Sequence, residues 1–197
     1  MASSDVEIVN AALTLLGETS ITSLDDETDT ARAAKRLYTL TLEAALREVP
    51  VVVAQLRRGL ARMTAAPEFE FSWQYALPTD PLCLRVLETD LDTDEAYRIE
   101  TYKTATEQVR VIVTDSCSVS VLYVAKLTDP ALWDALFVDA FVFELAYRLS
   151  FAITGHDGAR TTLINQKELA WRRARSRDGQ EGRPLKRLRS TSFTEVR

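Results

Sequence analysis

The sequence is poor in the residues that most metal-binding and nucleophilic sites need. Its 197 residues include one histidine, His156, and two cysteines, Cys83 and Cys117. Zinc sites draw on cysteine and histidine, and catalytic triads usually need a histidine base. There is no Cys-x-x-Cys pair and no glycine-rich phosphate loop. We therefore expect no metal, no cofactor and no enzymatic activity. We interpret both cysteines as small buried hydrophobes in strand-like runs, without a disulfide.

Targeting and membrane signals are also missing. The first residues, Met-Ala-Ser-Ser-Asp, contain no basic segment followed by an apolar run, so we expect no signal peptide and synthesis in the cytoplasm. The long apolar stretch after Pro130 contains Asp134, Asp139, Glu144 and Arg148, which argue against a membrane span. Hydrophobic residues make up 46% of the chain and charged residues 27%, which is typical of one globular domain.

Carboxylate clusters are present, but their spacing does not favour a cation site. Asp90, Asp92 and Asp94 follow the odd-position spacing of an EF-hand calcium loop. Glu95 stands where that loop needs glycine, and Thr101 stands where it needs the closing glutamate. We therefore predict a solvated turn between strands. A second acidic group is interpreted as loop and helix-cap residues, namely Asp25, Asp26, Glu27 and Asp29.

The net charge of −5 is distributed unevenly. Residues 172–197 hold nine basic and three acidic residues, a balance of +6, so the rest of the chain carries −11. This basic segment contains glycine and proline and has few apolar side chains to bury, so it is not expected to fold alone. We predict that residues 175–197 form an extended basic docking arm. Its predicted contact residues are Arg183, Leu185, Lys186, Arg187, Leu188, Arg189 and Phe193.

Two other roles for the basic arm stay open. In the first, the chain is a cytosolic nucleic-acid-binding protein that uses the arm to contact phosphates, and its affinity falls steeply with salt. In the second, the arm is a solvated charge run that only keeps the protein soluble.

Helical periodicity covers both ends of the sequence. A capping box, Ser4 with Glu7, begins a helix that Gly17 ends, and Ile21 and Leu24 are expected to pin the following loop. A second helix is predicted over 30–48 and a third over 51–64. The apolar stripe predicted for the second helix is Ala33, Leu37, Leu40 and Ala44.

The middle of the sequence has the two-residue period of strands. Phe69, Phe71, Trp73 and Tyr75 alternate with polar residues, which predicts four aromatics on one strand face. A stacking platform for single-stranded nucleic acid is one interpretation, but the neighbouring Glu68 and Glu70 would repel phosphate, so we favour a buried face packed on helices. Further strands are predicted over 84–88, 97–102, 109–113 and 119–125, paired as an antiparallel meander.

Helical periodicity appears again after residue 129. Asp129 is a predicted N-cap and Pro130 a first helical residue, opening an apolar helix over 130–154 that is buried nearly all round. His156 is interpreted as a turn residue before a last helix over 157–177. The predicted class is α+β: one domain over 1–174, with helices at 4–64 and 130–174 forming a bundle, an antiparallel β-subdomain inserted at 68–126, and the arm.

Four stretches of the chain carry a resemblance to a known family. They contain Ile-Thr-Ser-Leu-Asp-Asp at 21–26 after the helix and glycine at 11–17, the aromatic strand ending in Leu-Pro-Thr-Asp at 71–80, the strand-to-helix passage at 123–155, and Gln-Glu-Gly-Arg-Pro at 180–184. In order and spacing they resemble the tail tubular protein A family, the ring-forming head-to-tail adaptors of short-tailed bacteriophages. One departure is Val-Pro-Val-Val-Val at 49–53, where many relatives carry a His-Pro-Trp stretch.

The resemblance implies a virion structural protein at the head–tail junction, made in the host cytoplasm. It implies a homo-oligomeric ring of about twelve copies, bound to the portal protein and to a downstream tail or nozzle protein. Double-stranded DNA would pass through this ring without sequence-specific binding, and no membrane would be involved. An acidic body suits a channel that does not grip the duplex.

Overall fold

The computed structural model describes residues 4–49, 51–92, 94–103, 108–153 and 157–181, with the side chains of the last helix described over 161–176. Along these residues the chain forms helices, then strands, then helices. The helices are α1 Asp5–Leu16, α2 Asp29–Glu48, α3 Ala135–Ile153 and α4 Asp157–Glu181, with 3₁₀ turns at Val52–Ala54 and Pro130–Leu132. The strands are β1 Gln55–Gly59, β2 Trp73–Ala76, β3 Cys83–Thr89, β4 Tyr97–Lys103, β5 Gln108–Thr114 and β6 Ser120–Ala125. The predicted α+β class is confirmed.

The first helix follows its sequence signals. The Ser4 hydroxyl accepts a hydrogen bond from the Glu7 backbone N–H at 3.2 Å, and Gly17 adopts the left-handed conformation, with φ 74°, that ends the helix. The loop that follows is held to α1 by Asn10, whose side chain accepts from the Ile21 N–H at 2.8 Å and donates to the Ile21 carbonyl at 2.9 Å. Ile21 is buried and Leu24 packs against the core, as predicted.

The predicted inner stripe of α2 is wrong by about one residue. Leu40 is 61% exposed and Ala44 is exposed, while Ala33 and Leu37 are only half-buried. Burial of the aromatic ring of Tyr38, which packs edge-on against Phe141, sets the orientation of the helix instead. The buried face consists of Ala31, Ala34, Tyr38, Thr41, Leu42, Ala45 and Leu46.

The third helix predicted over 51–64 does not form. A short 3₁₀ turn leads directly into β1, which pairs antiparallel with β6 from Gln55↔Val124 to Gly59↔Ser120. Arg57 and Arg58 are exposed on this strand rather than on a helix face. The preceding valines favour extended structure, and strand pairing with β6 overrides the weak helical pattern.

Two three-stranded sheets replace the predicted meander. Their strand orders are β1-β6-β3 and β2-β5-β4, and all pairs are antiparallel. Of the paired strands, only β4 and β5 are consecutive in sequence. The most apolar strands, β5 and β6, take the two central positions, where both faces are covered. A core cluster containing Tyr75 and Ile112 from one sheet and Val121 and Tyr123 from the other joins the sheets.

The long helix begins later than predicted. Asp129 accepts from the Ala131 N–H at 3.0 Å and so caps the 3₁₀ turn at Pro130, not α3. The N-terminal turn of α3 is capped by Asp134, which accepts from the Leu136 N–H at 2.8 Å. Between them Trp133 turns into the core and meets Phe137 and Phe141 edge-on. α3 is then central, in contact with α1, α2 and α4.

The last helix is longer than predicted. α4 runs to Glu181 and buries Leu163, Ala170, Trp171 and Ala174 against α3. Leu169 of the same helix is 46% exposed. The first residues assigned to the arm, 175–181, are therefore part of α4, because the regular helix continues past the buried contacts. The four helices form the helical half of the molecule. This half contacts the sheets through α2, whose Arg47 donates to the Leu84 carbonyl at 2.9 Å and whose Glu43 pairs with Lys126 at 2.6 Å.

Candidate functional site

The predicted contact residues of the arm lie outside the described residues, and so does His156. These contact residues are Arg183, Leu185, Lys186, Arg187, Leu188, Arg189 and Phe193. Arg175, which was predicted to begin the arm, lies on the body of the protein, where its Nη2 pairs with Glu48 Oε1 of α2 at 2.8 Å. The clefts and exposed surfaces of the described residues lie on the helices and sheets that precede the arm.

Both acidic clusters serve the backbone of turns. Asp90 accepts from the Ser120 N–H at 2.6 Å, and the Asp92 N–H donates to Glu95 at 3.1 Å. Asp26 accepts from the backbone N–H groups of Thr22 and Ser23, and these bonds hold the pKa of its carboxyl below the usual value. The prediction of loop and turn residues is confirmed for these carboxylates. Within the described ranges no group of histidine, cysteine, aspartate or glutamate side chains is arranged to hold a metal ion.

The two cysteines differ in their surroundings. Cys83 is buried in β3, and burial raises the pKa of its thiol. Cys117 is exposed in the turn that leads from one sheet to the other, so the prediction of a buried strand residue is wrong there. The chain needs a loop at this point because β5 and β6 belong to different sheets. Both thiols are free.

The aromatic run at 69–75 divides into a buried and an exposed part. Tyr75 is buried between the sheets, not against helices, and Trp73 lies half-buried beneath the Arg62 guanidinium, 4.3 Å from the ring centroid. Phe69 is 78% exposed. The alternation fails at Glu70, whose positive φ of 71° reverses the chain direction. Glu70 Oε2 is also paired with Arg98 Nη1 of β4 at 2.9 Å.

A cavity of about 280 Å³, the sheet groove, lies between this loop and the outer face of the β2-β5-β4 sheet. Its apolar members include Val111, Val113, Phe71 and Tyr102, and three glutamates outnumber the single lysine, Lys103. The groove is lined by residues 67–71, Gln74, residues 100–103, Val111 and Val113.

A second, wider cleft of about 670 Å³, the helix cleft, lies between the end of α2 and the facing sides of α3 and α4. Glu144 is at its centre, with 13% of the side chain exposed. Its carboxylate accepts from Arg148 Nε at 2.9 Å and pairs with Lys167 Nζ at 3.3 Å, and the Trp171 indole N–H donates to it at 3.4 Å. The Lys167 ammonium also lies 4.3 Å from the centroid of the Tyr147 ring.

Two neighbouring cations stabilise the charged form of Glu144 in the helix cleft. Burial raises the pKa of Glu144, but the hydrogen bond from Arg148 and the positive charges of Lys167 and Arg148 outweigh it, so the pKa lies below its usual value. Sequence reasoning missed this cluster. The available signal was an i,i+4 acid–base pair, Glu144 and Arg148, in an otherwise apolar helix. Neither cleft combines the base, nucleophile and oxyanion donors of a catalytic site.

Large apolar side chains are exposed at separate places on the helical half. Phe151, at the end of α3, is 76% exposed, Leu40 on α2 is 61% exposed, and Leu132 in the 3₁₀ turn is 55% exposed. In the described part of the chain no helix is both long and apolar enough to cross a membrane.

Comparisons with known proteins find no matching protein-family model and no matching curated protein. The adaptor resemblance therefore depends on the residues described above.

Proposed function

We propose that this protein is a virion structural protein, a head-to-tail adaptor of a bacteriophage. About twelve copies form a ring between the portal and the downstream tail or nozzle protein, and double-stranded DNA passes through it without sequence-specific contacts. The protein is made in the host cytoplasm and resides at the head–tail junction of the virion.

The observation that carries this proposal is the resemblance, in order and spacing, of the stretches at 11–26, 71–80, 123–155 and 180–184 to the head-to-tail adaptor family. Exposed apolar side chains also lie on different elements: Leu40 on α2, Leu132 in the 3₁₀ turn before α3, and Phe69 in the loop before β2. A subunit of a closed ring needs two different complementary surfaces for its neighbours, and further surfaces for the rings above and below.

The polar clusters support the same proposal. Asp26 and Asp90 bind backbone N–H groups, Asp25 pairs with Lys35, and Glu144 pairs with Arg148 and Lys167. Such groups hold a shape and are not arranged to react. The charge of −11 outside residues 172–197 suits a DNA channel, and the basic arm offers the portal a separate point of attachment, with Arg183, Lys186, Arg187 and Arg189 as ion-pair donors.

Electron microscopy of the protein mixed with its portal tests the proposal. We expect a ring stacked coaxially on the portal at moderate salt. If no ring forms and the protein instead binds nucleic acid with an affinity that falls steeply as salt increases, the alternative of a nucleic-acid-binding protein replaces the adaptor. A variant with glutamine at Arg183, Lys186, Arg187 and Arg189 is the matched control, because it keeps the body unchanged and removes the charge of the arm.

A further inference from the structure

The described sheets have two strand edges without a partner strand or a covering segment. The outer edge of β2 is covered by residues 61–63, through hydrogen bonds from Met63 N to Gln74 O and from Ala76 N to Ala61 O. The outer edge of β3 is interrupted by bulges and receives Arg47 and Arg110 on its carbonyls. Among the described residues, β1 and β4 are left with open edges. Open edges are where another extended segment can add to a sheet.

Of these two edges, β4 is the better template. It is seven residues long, and its pairing with β5 is unbroken from Tyr97↔Thr114 to Lys103↔Gln108. Nearly all its side chains are exposed, and it contains no proline or bulge. β1 is shorter and exposes Arg57 and Arg58.

The sheet groove runs along this same edge. Four consecutive residues of β4, 100–103, line it. Alternate side chains of a strand point to opposite faces, so a groove that touches all four reaches the edge of the strand as well as one face. Its floor is apolar, and Glu68 and Glu100 carry carboxylates that no described cation pairs with, whereas Glu70 is paired with Arg98. The groove therefore suits an extended segment with apolar and basic side chains.

The basic arm contains a segment with an apolar side chain, Phe193, at its centre and a basic residue next to each end. Residues 190–196, Ser-Thr-Ser-Phe-Thr-Glu-Val, contain four strongly strand-forming residues among seven and no glycine or proline. Arg189 and Arg197 flank the segment. The eight residues between the end of α4 and Ser190 span up to about 27 Å when extended, more than two helix diameters. That length allows the segment to leave its own subunit.

We propose that the sheet groove binds residues 190–196 of a neighbouring copy, added as a strand to the open edge of β4, with Phe193 on the apolar floor. This inference rests on the proposed ring, because the donor is the next subunit. Each subunit donates one segment and accepts another, which is a heterologous contact that closes a ring. Residues 182–189 then remain for the portal, so Phe193 is assigned to the neighbour and not to the portal.

Photo-crosslinking of the full chain tests the inference. Phe193 is replaced with benzoylphenylalanine, isotopically labelled and unlabelled protein are mixed with the portal, and the crosslinked peptides are identified by mass spectrometry. We expect crosslinks between labelled and unlabelled chains at residues 67–71 or 100–103. Glu100→Lys should reduce their yield about fivefold, whereas Glu27→Lys, the same charge change on a distant exposed loop, should leave it within about twofold.

Crosslinks confined to one chain would overturn the neighbour as donor, and crosslinks to the portal alone would overturn the groove as acceptor. An equal loss of yield in both lysine variants would also contradict the groove. If rings are seen by electron microscopy but the groove is not labelled, the adaptor proposal stands and this inference fails. Thermal melts of both lysine variants check that each is folded.

Discussion

Individual polar side chains hold the loop between the first two helices to the helical half. The Asn10 amide bonds both backbone groups of Ile21, and the Asp26 carboxylate collects the N–H groups of Thr22 and Ser23. Each side chain thus satisfies backbone groups that a loop would otherwise leave to water. The loop is polar in sequence but is fixed at both of these points.

The charge of Glu144 is predicted to stabilise the fold. Glu144→Gln removes the negative charge that Arg148 and Lys167 share in a largely buried position, and we expect a loss of roughly 1–3 kcal/mol in the free energy of unfolding at pH 7. Urea denaturation measures the loss. The control is Glu168→Gln, an exposed carboxylate 3.8 Å from Arg172, for which we expect less than about 0.5 kcal/mol. Equal losses would contradict the central role of Glu144.

The same residue predicts a pH dependence. The pKa of Glu144 in the folded protein lies below its usual value of 4.5. The charged cluster therefore stabilises the fold fully at pH values above 4.5, and this contribution is lost as the pH falls through the folded-state pKa. The stability difference between wild type and Glu144→Gln should accordingly shrink below pH 4.5. A difference that grows with acidity would overturn the assignment.

Among the elements, α3 is central to the helical half, and the chain that leads into it has two separate caps. Asp129 serves the 3₁₀ turn and Asp134 serves the helix itself. Trp133 lies between them and is buried, so the break in the helix turns an aromatic ring into the core. A continuous helix from Pro130 would not need the second cap.

The core and cap of α3 can be separated by mutation. Leu145 is fully buried, so Leu145→Ala should cost about 2–5 kcal/mol through the cavity it leaves, while Asp134→Ala should cost about 0.5–2 kcal/mol through the lost cap. Leu136→Ala should cost less than Leu145→Ala because Leu136 is only half-buried. Urea melts measure all three. Leu40→Ala, at a site 61% exposed on α2, is the control and should change stability by less than about 0.5 kcal/mol. A loss at Leu145 no larger than at Leu40 would contradict the packing of α3.

For the whole molecule, charge opposes association in the absence of a partner. The chain outside residues 172–197 carries −11, so copies repel one another at low salt. We predict that the pure protein is a monomer or a weak oligomer and forms rings mainly on its portal. Sedimentation across a wide dilution range measures this, with the portal-bound sample as the positive control. A stable dodecamer of pure protein at every dilution would contradict the prediction.

Removal of the arm should separate folding from attachment. Because α4 runs to Glu181, the truncation removes residues 182–197. We expect the free energy of unfolding to stay within about 0.5 kcal/mol of the full chain and co-sedimentation with portal rings to be lost. A full-length variant with glutamine at Arg183, Lys186, Arg187 and Arg189 separates the effect of removing the positive charge of the arm from the effect of removing the arm itself. Truncated protein that binds the portal with unchanged affinity would favour the solvated charge run.

Features that depend on near neighbours in the chain could be predicted from the sequence alone. The α1 cap and its glycine end, five of the six strands, the three long helices and the α+β order all follow from spacing and from capping residues that act over three or four positions. Hydrogen bonds and side-chain contacts at such spacing form within one element, so a single stretch of sequence contains both partners. The apolar pattern also correctly predicted that α3 is largely buried.

The state of β1, the buried face of α2 and the two clefts depend on residues that are distant in the sequence. β1 is a strand because β6 is available to pair with it, and α2 presents Tyr38 rather than Leu40 because Phe141 lies opposite. The Glu144 cluster and the sheet groove each combine side chains from elements that are far apart in sequence. Hydrogen bonds and buried apolar area stabilise a contact between distant segments only when both segments are in place. Such contacts therefore form only when the elements pack together.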